Sequence, residues 1–429
     1  MEPKLQTIWF LACVVIACSG SPSGRTGPLR VVFDSPQKVD GTDALNTNDP
    51  YSVYGTYNIW RVNADGTGLT PLTNATSADA SSVLPQWSPD GSKLVFNSSR
   101  KLDGTDASNP AFNIWRMNAD GTGLAPLTRA TAARADSAQA QWSPDGTKAV
   151  FVSRRNLDGT DAPNTNSTYN IWRVNADGTG LMPLTNLTAA RADSTGPQWS
   201  PDGTKVVFMS SRRLDASDAP NANFTYNIWR VSADGTGLTP LTNLTAARAD
   251  SAAPQWSPDG SKVVFDSSRR LDGTDAPNTN FTYNIWRVGA DGTGLTPLTN
   301  LTAAQADSAG PQWSPDGSKV VFDSSRRLDG TDAPNANLTS NIWLMNADGT
   351  GLASLTTATA LGVVSFEPRW SPDGSKVVFR STRQLDGTDA RNPNLTYNIW
   401  RVNADGTGLM PLTRATANGV NSEWASFSH

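Results

Sequence analysis

The sequence predicts an all-β fold, a seven-bladed β-propeller of four-stranded antiparallel blades. Three observations carry that expectation. A sentence of roughly 57 residues recurs along the chain, cleanest over 254–299, which reads PQWSPDGSKVVFDSSRRLDGTDAPNTNFTYNIWRVGADGTGLTPLT. A fixed period of this size dictates the architecture before any single residue does. Second, the chain has 35 Gly and 28 Pro among 429 residues, the composition of short strands joined by tight turns. Third, the repeats are framed so that the two ends of the chain complete one another.

The chain opens with Lys4 and the apolar run 8–17, followed by Cys18. A charged start and an apolar stretch too short to span a bilayer read as a signal peptide over 1–18. Its Val15-Ile16-Ala17-Cys18 end resembles a bacterial lipobox, which would make Cys18 the lipidated residue. The Ser/Gly/Pro-rich stretch 19–28 reads as a flexible tether, and 29–429 as the propeller. These features predict export to a bacterial periplasm or cell surface, with the membrane touched only through a lipid anchor.

Within one sentence four strands are expected, over 253–256, 262–265, 283–288 and 295–299. Ser257-Pro258-Asp259-Gly260 joins the first two and Ala290-Asp291-Gly292-Thr293-Gly294 the last two, both with strong turn chemistry. Val263-Val264-Phe265 is apolar toward both faces, so each sheet is covered on both sides. A row of such sheets packed face to face is a propeller, with the fourteen Trp after Trp9 filling the space between blades.

Counting gives seven blades. The Trp of the Asn-Ile-Trp mark recurs at Trp60, Trp115, Trp172, Trp229, Trp286, Trp343 and Trp400, whereas the Trp before Ser-Pro-Asp-Gly occurs six times, from Trp87 to Trp370. The stretch from Leu29 supplies strands two to four of a blade, and the C-terminal stretch around Trp424 supplies a lone strand one. We therefore expect Trp424 to be the seventh mark, with three N-terminal strands and one C-terminal strand closing the ring.

The residues Gln-Trp-Ser-Pro-Asp-Gly-Ser-Lys-Val-Val-Phe, followed by Asn-Ile-Trp-Arg-Val-Asn-Ala-Asp-Gly-Thr-Gly, resemble the WD-like propeller repeat of the TolB family. The resemblance covers nearly everything from Leu29 to Phe427. It implies an exported scaffold that binds a protein or other component of the cell envelope. The chain departs from that family in its seven blades, its longer repeat and its lack of the family's α/β domain. Similar repeats also form the propellers of prolyl-oligopeptidase-type peptidases and oligogalacturonate lyases. Yet no Gly-x-Ser-x-Gly nucleophile elbow occurs, and the internal His residues expected of the lyases are missing, His429 being the sole His.

The charges narrow the function further. With 17% charged residues and a net charge of −4 there is no basic field to recruit nucleic acid. Only Cys13 and Cys18 are present, so the usual zinc sites cannot be built. The Asp-Gly-Thr-Asp turns invite a calcium reading but lack the spacing of a calcium loop. No metal site is assigned and no cofactor is expected.

The long loops, between strands two and three and between successive blades, share one face of the ring, and binding is expected there. The two–three loop repeats Arg100, Arg155, Arg212, Arg269, Arg326 and Arg383, with Gln37 in the first copy, and carries two acids, as in Asp272 and Asp275. The interblade loop adds Arg134, Arg191 and Arg248, with Gln305 breaking the series. One reading is a charged ring at the channel rim that grips a protein tail or glycan. The other is that each Asp caps a turn and each Arg ties neighbouring loops together. Departures from the repeat at Glu367, Arg369 and Arg380 mark where asymmetry should lie. The sequence thus favours a monomeric, non-enzymatic envelope-binding scaffold, with a polysaccharide-acting hydrolase or lyase, or a carbohydrate-binding module, as alternatives.

Overall fold

A computed structural model describes residues 28–47 and 55–428. The readings of 1–18 as a signal peptide and of Cys18 as lipidated lie outside the described residues, as does all of the 19–28 tether but Pro28. Seven four-stranded antiparallel sheets make up the fold, numbered with the blade that joins the two chain ends as blade 1 and blades 2–7 following along the chain. Blade 5 shows how the repeat builds one, from strands Ser251–Trp256, Lys262–Ser267, Asn284–Gly289 and Thr296–Pro297.

The turns form as their residues dictate. Gly260, at φ 68°, closes the first hairpin by donating its N–H to the Ser257 carbonyl at 2.9 Å. Asp259 accepts from the N–H of Ser261 at 3.0 Å. The outer strand is only two residues long, and Pro297 has no N–H to donate to a ladder. The inner strand carries a bulge between Ala252 and Gln255, with Ala253 in the left-handed region at φ 53°.

Packing between blades explains the strands that are apolar on both faces. Val263, Phe265, Trp256 and Trp286 of blade 5 pack against Val207, Ile228 and Leu241 of blade 4. On the other face Val264 and Ile285 pack with Trp313, Phe322 and Trp343 of blade 6. Trp286 is fully buried, and a buried aromatic of this size contributes about 3–5 kcal/mol relative to Ala. The inner strands touch one another around the whole circle, with Glu423–Phe427 contacting both Ser365–Trp370 and Ser82–Trp87. Strand one therefore lines the central channel.

Closure follows the sequence count. Glu423–Phe427 completes the sheet of Arg30–Ser35, Asn58–Asn63 and Thr70–Pro71, which is blade 1. The register corrects one expectation. Trp370 pairs with Val377, and the residue that pairs with the equivalent Val31 is Phe427, not Trp424. Phe427 is 5% exposed and packs with Phe33, Trp60 and Leu412. Trp424 stands 57 residues after Glu367 and takes the bulge position at φ 53°. A matching residue type three places early disguised the true spacing.

Candidate functional site

The first acid of each two–three loop serves its own turn. Asp272 accepts from Thr274 N–H at 3.0 Å and from its hydroxyl at 2.6 Å, and these bonds hold its carboxyl below the usual range. The second acid fastens the incoming interblade loop. Asp275 accepts from the N–H groups of Thr245 and Ala246 at 2.8 and 2.9 Å and from the Thr245 hydroxyl. The same triad recurs from Asp106 with Thr76 to Asp389 with Thr359.

The recurring Arg side chains are also internal to these loops. Arg100, Arg155, Arg212, Arg269, Arg326 and Arg383 are 0–4% exposed, so they lie buried in their own loops instead of standing on the rim. Nη1 of Arg100 donates to the Gly104 carbonyl at 3.1 Å, and Gln37 makes the equivalent bond to Gly41 at 2.8 Å. Nη2 of Arg212 and Arg269 donates to Asn186 and Asn243 of the interblade loop at 3.1 and 2.8 Å. Burial pulls these guanidinium pKa values down, that of Arg212 to about 10.

Arg134, Arg191 and Arg248 differ: all three are exposed, on left-handed backbone at φ 67°, 62° and 63°. Arg191 stacks over the Phe224 ring at 5.0 Å and Arg248 over Phe281 at 4.8 Å. Phe224 and Phe281 are 43% and 44% exposed, and Leu338 and Leu395 hold the same place in blades 6 and 7 at 47% and 45%. All four also sit at positive φ, a conformation that costs a bulky residue energy. Sequence reasoning missed this apolar series. Its signal was an aromatic or Leu recurring inside an otherwise polar loop.

The asymmetry expected at Glu367 and Arg380 lies beside the channel. At the fifth position of strand two, Asp34, Asp266 and Asp323 each accept the N–H of the next blade's bulge residue, Leu84, Gly310 and Glu367, at 3.2, 3.0 and 3.4 Å. Burial lifts Asp266 to about 7 and Asp323 to about 8, and Asp34 well above its ordinary value. Blade 7 has Arg380 instead, bonded to Glu367 at 2.9 Å, 3.8 Å from Glu423 and stacked on Tyr397 at 4.9 Å. Burial opposes its charge, but Glu367 and Glu423 more than offset this and raise its pKa. Arg369, the third departure, sits on the same inner strand, 6% exposed. Among the described residues no three His, Cys, Asp or Glu side chains gather into a group that could hold a metal.

No protein-family model matches the chain. Two curated proteins resemble part of it. The uncharacterized peptidase YuxL of Bacillus subtilis is 28% identical over 205 residues, 42% of this chain. The uncharacterized protein Atu1656 of Agrobacterium fabrum is 30% identical over 185 residues, again 42% of this chain. The matched stretches span 28% and 52% of those two relatives. Among solved structures, a puromycin-hydrolyzing peptidase of Mycobacterium tuberculosis superposes with TM-score 0.57 at 15% identity, covering 91% of this chain and 53% of that one. An oligogalacturonate lyase in complex with manganese gives TM-score 0.52 at 19% identity, covering 90% and 85%. The structural neighbours also include a putative TolB from Agrobacterium tumefaciens, at TM-score 0.45 and 20% identity over 81% and 96%. At these identities the peptidase and the lyase share the propeller fold with this chain.

Proposed function

We propose that this protein is a non-enzymatic, exported propeller scaffold that binds a protein or glycan of the cell envelope through its long-loop face. The observation that carries the reading is the pair of exposed Arg–aromatic stacks, Arg191 on Phe224 and Arg248 on Phe281, repeated on adjacent blades. Both members stand on positive-φ backbone, and strained, exposed side chains of this kind cluster where a surface is used for recognition. Two equivalent contacts on one rigid ring also allow multivalent engagement. The repeat's resemblance to the TolB family supports an envelope location, with Cys18 as the anchor and a monomer as the working unit. No cofactor enters the proposal.

Affinity capture from the native envelope with the purified protein tests it. A partner should be retained by wild type and lost on Arg191→Glu plus Arg248→Glu. Turnover of a polysaccharide that one Asp→Asn change abolishes would replace the scaffold with an enzyme.

A further inference from the structure

One loop pair breaks the repeat by placing a second cation where its neighbours carry an acceptor for a buried Arg. In blades 4 and 5 the buried Arg of the two–three loop donates Nη2 to an Asn of the interblade loop, Arg212 to Asn186 and Arg269 to Asn243. In blade 3 the buried Arg is Arg155, and the position of Asn186, 57 residues earlier, holds Arg129. The acceptor has become a second cation.

Comparing the seven blades isolates this combination. Blade 1 has Arg414 at the acceptor position but Gln37 in place of the buried Arg. Blades 2, 4, 5 and 6 pair Arg with Asn74, Asn186, Asn243 and Asn300, and blade 7 pairs Arg383 with Thr357. Blade 3 alone has Arg at both positions.

The consequences are visible in the structure. Arg155 is 4% exposed, its Nη1 donates to the Gly159 carbonyl at 3.2 Å, and its Nε and Nη2 are buried with no partner, as are those of Arg100 and Arg383; what sets blade 3 apart is the second Arg at the acceptor position. Asp161, the acid beside it, is already engaged by the N–H groups of Thr131 and Ala132 at 2.8 and 3.0 Å. Burial draws the Arg155 pKa down against the pull of Asp161. Arg129 is exposed at the surface of the same loop junction. Arg154, next in sequence, is 3.9 Å from Asp136 and stacks on Tyr169 at 4.1 Å. A desolvated guanidinium with unmade hydrogen bonds is costly, and an oxyanion supplies both the charge and the acceptors it lacks.

We propose that blade 3 carries an oxyanion site, in which a carboxylate, sulfate or phosphate group takes the acceptor position left by Asn and is held between Nη2 of Arg155 and the guanidinium of Arg129. The buried Arg155 fixes the anion's orientation and the exposed Arg129 captures it from solvent. The site is separate from the Arg191 and Arg248 stacks of blades 4 and 5, so either proposal can fail while the other stands.

The test uses the purified propeller, with inorganic phosphate, sulfate and acetate titrated against chloride at constant ionic strength by calorimetry and thermal shift. Wild type should bind with a Kd in roughly the millimolar range and gain stability on saturation. Arg129→Asn restores the arrangement of blades 4 and 5, so it should fold normally and bind roughly tenfold more weakly or not at all. The converse change, Asn186→Arg, should create a second site in blade 4 and raise the stoichiometry from one to two. The relative affinities of phosphate and acetate identify which class of group the site prefers. Binding unchanged by Arg129→Asn, no added site in Asn186→Arg, or wild type indifferent to all three anions would each overturn the proposal.

Discussion

The carboxylate of Asp43 accepts the backbone N–H of Thr416 at 2.7 Å across 373 residues of chain. It also accepts the Thr416 hydroxyl at 2.5 Å and the N–H of Ala417 at 3.1 Å. This is the clasp that Asp275 makes to Thr245 within the ring, used here to join the two ends of the chain. Asp43→Ala should lower stability by about 1–3 kcal/mol, the loss expected when hydrogen bonds to a charged acceptor are removed. Chemical denaturation gives the magnitude. Limited proteolysis should reveal earlier release of the C-terminal strand than in Asp275→Ala, where the covalent chain still spans the broken clasp.

Closure also fixes which C-terminal aromatic bears the load. Phe427 fills the interblade slot, whereas Trp424 stands on left-handed backbone beside Arg380, 5.8 Å from its ring. Phe427→Ala should cost about 3–5 kcal/mol. Trp424→Gly trades a cation–π contact for relief of strain, matching Gly196 and Gly310 in sister blades. It should stay within about 1 kcal/mol of wild type. Urea melts of the two variants check the order.

Stability should depend on pH through the channel aspartates. An unfolded Asp titrates near 3.9, while burial lifts Asp266 to about 7, with Asp307 adding repulsion. The native state therefore keeps this proton over an interval where the unfolded chain has lost it. The stabilisation is complete below the unfolded pKa and is lost as pH rises through about 7. Asp323, at about 8, behaves likewise and extends the decline upward. Asp266→Asn keeps an oxygen to accept the Gly310 N–H, so it should flatten the fall in Tm between about pH 4 and about pH 7.

Much of the fold was legible because it rests on periodicity. The Trp marks, Ser-Pro-Asp-Gly turns and Asp-Gly hairpins repeat with the spacing that the blades require, and the incomplete ends announce their own closure. The register of the last strand is hidden because Trp424 shares the residue type of the mark, whereas Phe427, 57 residues after Trp370, holds its place. The site was less legible. Arg100 and its counterparts carry full charge on loops, and charged loop residues are ordinarily solvated. Only the structure reveals that Arg100, Arg155, Arg212, Arg269 and Arg383 fold back onto a carbonyl four residues on. The positive φ of Phe224 and Phe281 left no mark in the sequence, since neither residue favours that region.

The central claim is that the repeated loop charges hold the ring together, while the exposed Arg191 and Arg248 stacks recognise the partner. Arg213 and Arg270 provide a charge-matched control on the same loops, exposed and ion-paired at 3.4 and 3.2 Å to Asp215 and Asp272. One capture experiment from the native envelope compares wild type, Arg191→Glu/Arg248→Glu and Arg213→Glu/Arg270→Glu. Loss of the partner in the first double variant, with retention in the second, is the predicted result. Retention in both, or equal loss in both, would contradict the account.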